Sequence, residues 1–162
     1  MTETTRVNME IADLLSPDAV LAHLKAANKK QVLQEMAQKA GALTRIPDRR
    51  ILETLMEREK LGSTGMGQGI AIPHGRIAGI HKMTGLFAQL DHPIDFDAMD
   101  DQPVDLVFLL LAPQDAGADH LKALARVSRL LRNQAVCEKL RAAPQIATLY
   151  ALLTEPTAAQ AA

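Results

Sequence analysis

From residue 29 onward the apolar positions Val32, Leu33, Met36 and Ala40 fall three and four apart, the period of one helical face. Asn28 stands where an N-cap would, and Gly41 supplies the expected stop. A second helix is predicted from Pro47-Asp48 to Gly62, with proline tolerated in its first turn and Ile51, Leu52, Leu55 and Met56 along its buried side. Before these, residues 1–15 read as a polar segment, Ser16-Pro17 as a turn, and AVLAHL (19–24) as a short first strand.

The period then changes. GSTGMGQG (62–69) predicts a loop, because so many glycines would weaken any regular element, and IAIP (70–73) predicts a short strand. MTGLFAQLDHPIDF (83–96) reads as extended, broken by a turn at Asp91-His92-Pro93. VDLVFLLLAP (104–113) is almost continuously apolar, as a strand buried on both faces would be, which calls for helices on both sides of its sheet. The last third is helical: GADHLKALARVSRLLRN carries Leu121, Leu124, Val127, Leu130 and Leu131, and shorter helices follow at QAVCEKLRA and after Pro144. This order predicts an α/β protein, a three-layer α/β/α arrangement around a mixed sheet. One domain is expected over 16–154, with a flexible tail at 155–162.

Composition narrows the function. The chain has no Trp, one Tyr and three Phe, so its core must be aliphatic. A net charge of −1, without a basic stripe interleaved with aromatics, argues against nucleic acid as a partner. Cys137 is the sole cysteine, so no intrachain disulfide forms, and its helical setting predicts a packed thiol in a reducing compartment. The first residues lack a secretory apolar core, and the longest apolar run, near 106–112, is too short for a membrane span. No membrane insertion is expected, and the predicted location is the cytoplasm.

Candidate chemistry concentrates in GSTGMGQGIAIPHGR (62–76). A nucleotide-binding loop fails on spacing: Gly62 and Gly67 are followed by Gln68 and Gly69 rather than lysine and a hydroxyl, and Gly65-Met66-Gly67 is followed by Ile70 where a dinucleotide motif needs glycine. A metal site built from His74, His81, His92 and the acidic run through Asp95, Asp97, Asp100 and Asp101 lacks helical ligand spacing and the pattern of a calcium loop. No metal or cofactor is therefore expected. His74 could instead act as a nucleophile, given an acceptor that fixes its tautomer. Ser63, Thr64, Gly65 and Gly67 offer hydroxyls and backbone N–H groups to a phosphate, and Arg58 ends the preceding helix. Pro73 limits the backbone before His74, and Gly75 is expected to allow a sharp exit. His120 continues the row Leu124, Val127 and Leu131 near a helix N-terminus, where positive potential favours phosphate. Lone histidines at such places also serve as caps or structural hydrogen-bonders, and the residues by themselves leave both readings open.

GSTGMGQGIAIPHGR resembles the active-site signature of the enzyme IIA domains of the bacterial phosphoenolpyruvate-dependent phosphotransferase system, mannitol/fructose class, and most of all their nitrogen-regulatory branch. The similarity extends to REKLGSTG, PIDFDAMDDQPVDLVFLLLAP and DHLKALARVSRLL, nearly the whole chain. It implies that His74 accepts a phosphoryl group on Nε2 from a phosphohistidine of a small HPr-type carrier, with His120 as second active-site histidine and Arg58 assisting the phosphate. It also implies a phosphoryl carrier rather than an independent turnover enzyme. The nitrogen-regulatory branch implies output through protein binding, with potassium-transport components and sensor kinases among the partners. A sugar-specific IIA passing phosphate to a IIB domain, or an interaction module without phosphorylation, are the alternatives. His23, His81 and His92 match no functional position and read as surface or structural, while Met66 and Gln68 are candidates for the rim that partners meet.

Overall fold

The computed structural model describes residues 9–155. In chain order its elements are α1 (Ile11–Leu14), β1 (Val20–Leu24), α2 (Lys29–Thr44), α3 (Asp48–Lys60), β2 (Gly65–Gly67), β3 (Ile70–Ala71), β4 (His74–Ile77), β5 (Thr84–Ile94), β6 (Val104–Pro113), α4 (Ala118–Leu131), α5 (Gln134–Ala142) and α6 (Ile146–Thr154), with a single 3₁₀ turn at Pro17–Ala19. The flexible tail expected at 155–162 lies, beyond Glu155, outside the described residues, as do residues 1–8 of the expected polar start.

β6 owes its central place to its composition. Leu106 to Ala112 are all buried, and such a run is stable only where both faces of the strand are covered, each large aliphatic contributing about 1.5–3 kcal/mol. The sheet runs β1-β5-β6-β3-β2, and β4 also pairs with β6. β5 is antiparallel to β6; β1 is parallel to β5, and both β3 and β4 are parallel to β6. β3 and β4 lie end to end along one edge of β6, Ile70 opposite Leu106 and His74 opposite Leu110. Ile72-Pro73 separates them, because proline has no N–H for the ladder, yet the Pro73 carbonyl still accepts from the Leu110 N–H. α2 and α3 pack together over β4 and β5, while α1, α4, α5 and α6 form a second group against β1 and β6, completing the α/β/α layers.

Several local expectations are corrected. α2 does not stop at Gly41 but runs to Thr44 and ends on Arg45, in the left-handed region at φ 68°. Gly41 instead permits a close approach: a Cβ there would lie 2.9 Å from the Ile46 carbonyl oxygen. The 62–69 stretch is not all loop, since Gly65–Gly67 forms β2 against β3. Asp91-His92-Pro93 does not break the strand, which absorbs it as a register shift between Gln89 and Ile94. In α3 the buried residues are Ile51, Leu55 and Glu59, whereas Leu52 and Met56 are only partly covered. Leu121, expected among the packed leucines of α4, is 68% exposed; Ala123 and Arg126 are buried in that helix instead. Within the segment expected to be polar, Ile11 and Leu14 of α1 are buried in the core. Cys137 is buried, its thiol directed to the Leu131 carbonyl, and burial pushes its pKa up.

Candidate functional site

Strand alternation decides which residues of β4 meet. His74 and Arg76 point to one face of the sheet, Gly75 and Ile77 to the other, where Gly75 lies against Thr54 of α3. On the His74 face stands the first turn of α4, and the His120 ring meets the His74 ring edge-on with centroids 5.6 Å apart. Arg58, in the last turn of α3, reaches the same place and donates from Nε to His74 Nε2 at 3.3 Å while its Nη1 holds the Gly62 carbonyl at 2.9 Å. Three residues far apart in sequence are thus brought together: His74, His120 and Arg58.

Each imidazole has a defined proton. His74 Nδ1 donates to the Ile72 carbonyl at 2.8 Å, so its lone pair is on Nε2. Burial pushes the His74 pKa below the ordinary value; the Ile72 hydrogen bond opposes this, the Arg58 guanidinium adds to it, and the Glu59 carboxylate opposes it. His120 is 8% exposed, with its pKa lowered by burial first and then by His74 and Arg76. A half-buried neutral imidazole with its Nε2 lone pair beside a guanidinium is a nucleophile already placed for an anionic electrophile.

The loop residues do less than their chemistry offered. Ser63 Oγ donates to the Phe96 carbonyl at 2.6 Å and accepts from the Gly65 N–H at 2.9 Å. The hydroxyl and the N–H of Thr64 both go to the carboxylate of Glu59. In the chain without phosphate these donors are engaged with Phe96, with Glu59 of α3 and with one another, and so they brace the loop. Glu59 is itself neutralised by Lys29 Nζ at 2.7 Å. Gln68, at φ 58° between Gly67 and Gly69, makes the tight turn into β3; Asp100 accepts its N–H and Arg141 donates to its carbonyl. Gly75 has no left-handed backbone and provides no sharp exit. Its role is contact, since a Cβ would lie 2.7 Å from Thr54 Cγ2.

A depression of about 210 Å³ opens beside His74, walled by Arg58, Thr64, Met66, Ile72, Leu124 and Ser128. A larger hollow of about 460 Å³, between α1, the end of α2 and residues 79–85, contains neither His74 nor His120 and is not where the chemistry lies. Among the described residues no three His, Cys, Asp or Glu side chains converge as a metal ion would require. His81 and His92 are exposed, and the exposed His23 places Nε2 3.2 Å from the Pro144 carbonyl oxygen.

Three residues escaped the sequence reading. Arg76 was legible, for it is two positions from His74 on a strand and so shares its face. Ser128 was legible too, one turn beyond Leu124 on α4. Glu59 carried no signal, because its burial depends on partners from α2 and the loop.

Residues 13–155 match the family model described as phosphoenolpyruvate-dependent sugar phosphotransferase system, EIIA 2. The chain belongs to that EIIA type 2 family. It is similar to the nitrogen regulatory protein of Bradyrhizobium diazoefficiens, with 56% identity over 94% of this chain and 100% of that protein. It is also similar to a PTS system fructose-specific EIIA component of Haloferax volcanii, 42% identical over 77% of this chain and 80% of the other. Among solved structures, IIA-Ntr from Neisseria meningitidis superposes with a TM-score of 0.84 at 35% identity, covering 89% of this chain and 99% of that one. The EIIA fold, with helices on both faces of a mixed sheet, and the relation to nitrogen regulatory proteins are therefore shared with these relatives. No helix among the described residues is long and apolar enough to cross a membrane.

Proposed function

We propose that this EIIA protein accepts a phosphoryl group on His74 Nε2 from a phosphohistidine of an HPr-type carrier and signals by a change in the proteins it binds. The observation that carries this reading is the tautomer of His74: with the proton of Nδ1 held on the Ile72 carbonyl, only Nε2 can attack. The Nε2 lone pair forms the new N–P bond as the donor's N–P bond breaks and its electron pair returns to the donor ring. The His74 ring keeps its Nδ1 proton, so it carries the compensating positive charge beside the phosphoryl dianion. Arg58, which donates to Nε2 before the reaction, transfers its N–H to the phosphoryl oxygens as they arrive. His120 lies close enough for its ring to face the same group.

Exposed apolar side chains border the site. Met66 lines the depression and is 51% exposed; Leu61 adjoins the glycine loop and Leu121 adjoins His120. They form the surface on which a carrier docks in this reading, and a dianion placed among them alters later docking by repulsion and desolvation. The relatives named nitrogen regulatory proteins support a regulatory output; in this proposal that output is exerted in a bacterial cytoplasm, on potassium-transport components or sensor kinases.

The test is phosphorylation by phosphoenolpyruvate, the first enzyme of the system and its carrier. Acid-labile, alkali-stable phosphate is expected in wild type and absent from folded His74→Ala. Label retained in His74→Ala would sink the assignment, and absence from both proteins, with a donor chain shown to be active, would favour a pure interaction module. The similarity to a fructose-specific component supports a second reading, a sugar-specific IIA. Transfer of label onward to a IIB domain distinguishes it from the regulatory one.

A further inference from the structure

His74 and His120 are fixed in opposite ways. The partner of His74 is a carbonyl, which only accepts, so its Nδ1 must carry the proton. The partner of His120 is Arg76, whose Nε donates to His120 Nδ1 at 3.1 Å. A guanidinium never gives up its proton in a protein and has no acceptor to offer, so His120 Nδ1 must be a lone pair and the proton must sit on Nε2. That Nε2 is buried and has no hydrogen-bond partner within the protein. Leaving a buried N–H unpaired is costly, and here it stands in a ring 5.6 Å from the His74 ring. The sheet enforces the pairing: Arg76 follows His74 by two residues on β4, opposite Ala112 as His74 is opposite Leu110, so one strand presents the nucleophile and the group that sets its neighbour's proton.

We infer that Arg76 is a positioning residue that holds His120 as a neutral Nε2–H donor toward the phosphoryl group on His74. For its consequence, though not its geometry, this rests on the phosphocarrier reading. Its chemical sense lies in reversibility. A neutral N–H donor stabilises phosphoryl oxygens less than an imidazolium would, so His74 is phosphorylated without being trapped in that state. The groups that face His120 are Arg76 and His74, both on β4, and both disfavour a second proton on its ring.

Nitrogen-15 NMR of the unphosphorylated chain reads the proton positions directly. In wild type we expect His120 protonated on Nε2 and His74 on Nδ1. Arg76→Met, at an exposed position, should move the His120 titration up toward the ordinary 6.5 and mix its tautomers, while His74 keeps its Nδ1 proton. Arg76→Lys, which retains a cationic donor, should keep more of the wild-type pattern. Phosphoryl uptake from the carrier should fall about tenfold in Arg76→Met through loss of orientation. A His120 proton on Nδ1 in wild type overturns the inference, as does an Arg76→Met variant with unchanged His120 shifts and titration. Normal uptake in a variant whose His120 proton has moved also overturns it. If wild type takes up no phosphate while His120 responds as described, the phosphocarrier reading fails and the control of His120 by Arg76 stands.

Discussion

The two histidines are placed by neighbourhoods of opposite construction. Around His74 the chain is tied from several elements: Arg58 and Glu59 from α3, Thr54 packed under Gly75, Thr64 bonded to Glu59, and Ser63 to the Phe96 carbonyl. Ahead of His120 there is little but backbone. Gly117, at φ 60° and ψ −133°, turns the chain from β6 into α4, and a Cβ added there would find nothing within 4 Å. The chain at His74 is set by contact, and its approach to His120 by conformation. Gly75 follows His74 directly and Gly117 stands three residues before His120, yet one answers a steric demand and the other a torsional one.

Removing the tie that braces the whole His74 side should have the largest effect. Glu59→Ala leaves Lys29 without its near-buried partner and Thr64 without its acceptor, and should destabilise the fold by about 3–4 kcal/mol in urea denaturation. A loss below about 1 kcal/mol would show the loop to be held by other means. Gly75→Ala comes next, at about 2–3 kcal/mol, because its methyl meets Thr54 Cγ2. Adding Thr54→Ala should restore most of that stability, and failure to do so would refute the contact argument.

Why the fold was legible and the loop less so follows from the same contrast. β6 announces itself because continuous burial leaves a continuous apolar run, and α2 and α3 because their buried residues recur at helical spacing. The hydroxyls of Ser63 and Thr64 were visible in the sequence, but their partners were not. Phe96 and Glu59 reach them only through folding, so the bracing that these hydroxyls provide could not be read from the sequence. Gly75 was misread for a like reason: a sequence displays a missing side chain without showing what would occupy its space. His74, Arg58 and His120 were candidates by residue type and placement, the resemblance decided between their readings, and the structure brings them together. Arg76 needed only the period of a strand.

Gly117→Ala sharpens the comparison from the other side. Its cost should be about 1–2 kcal/mol, all of it torsional, since no side chain lies near enough to clash. No substitution of a neighbour should recover it, in contrast to the Gly75–Thr54 pair. Recovery by any such second change would mean that the turn is contact-limited after all.

The smallest effect concerns protons. Both histidine pKa values lie below 6.5 in the folded chain, His74 chiefly through burial and His120 through burial, His74 and Arg76. As pH falls through 6.5 the unfolded chain takes up protons that the folded chain refuses, so unfolding is favoured. The contribution of these groups is fully present above 6.5, declines toward the folded-state values, and is constant below them. Urea midpoints of wild type should therefore fall on acidification more than those of His74→Gln or His120→Gln, and equal slopes would contradict the lowered values.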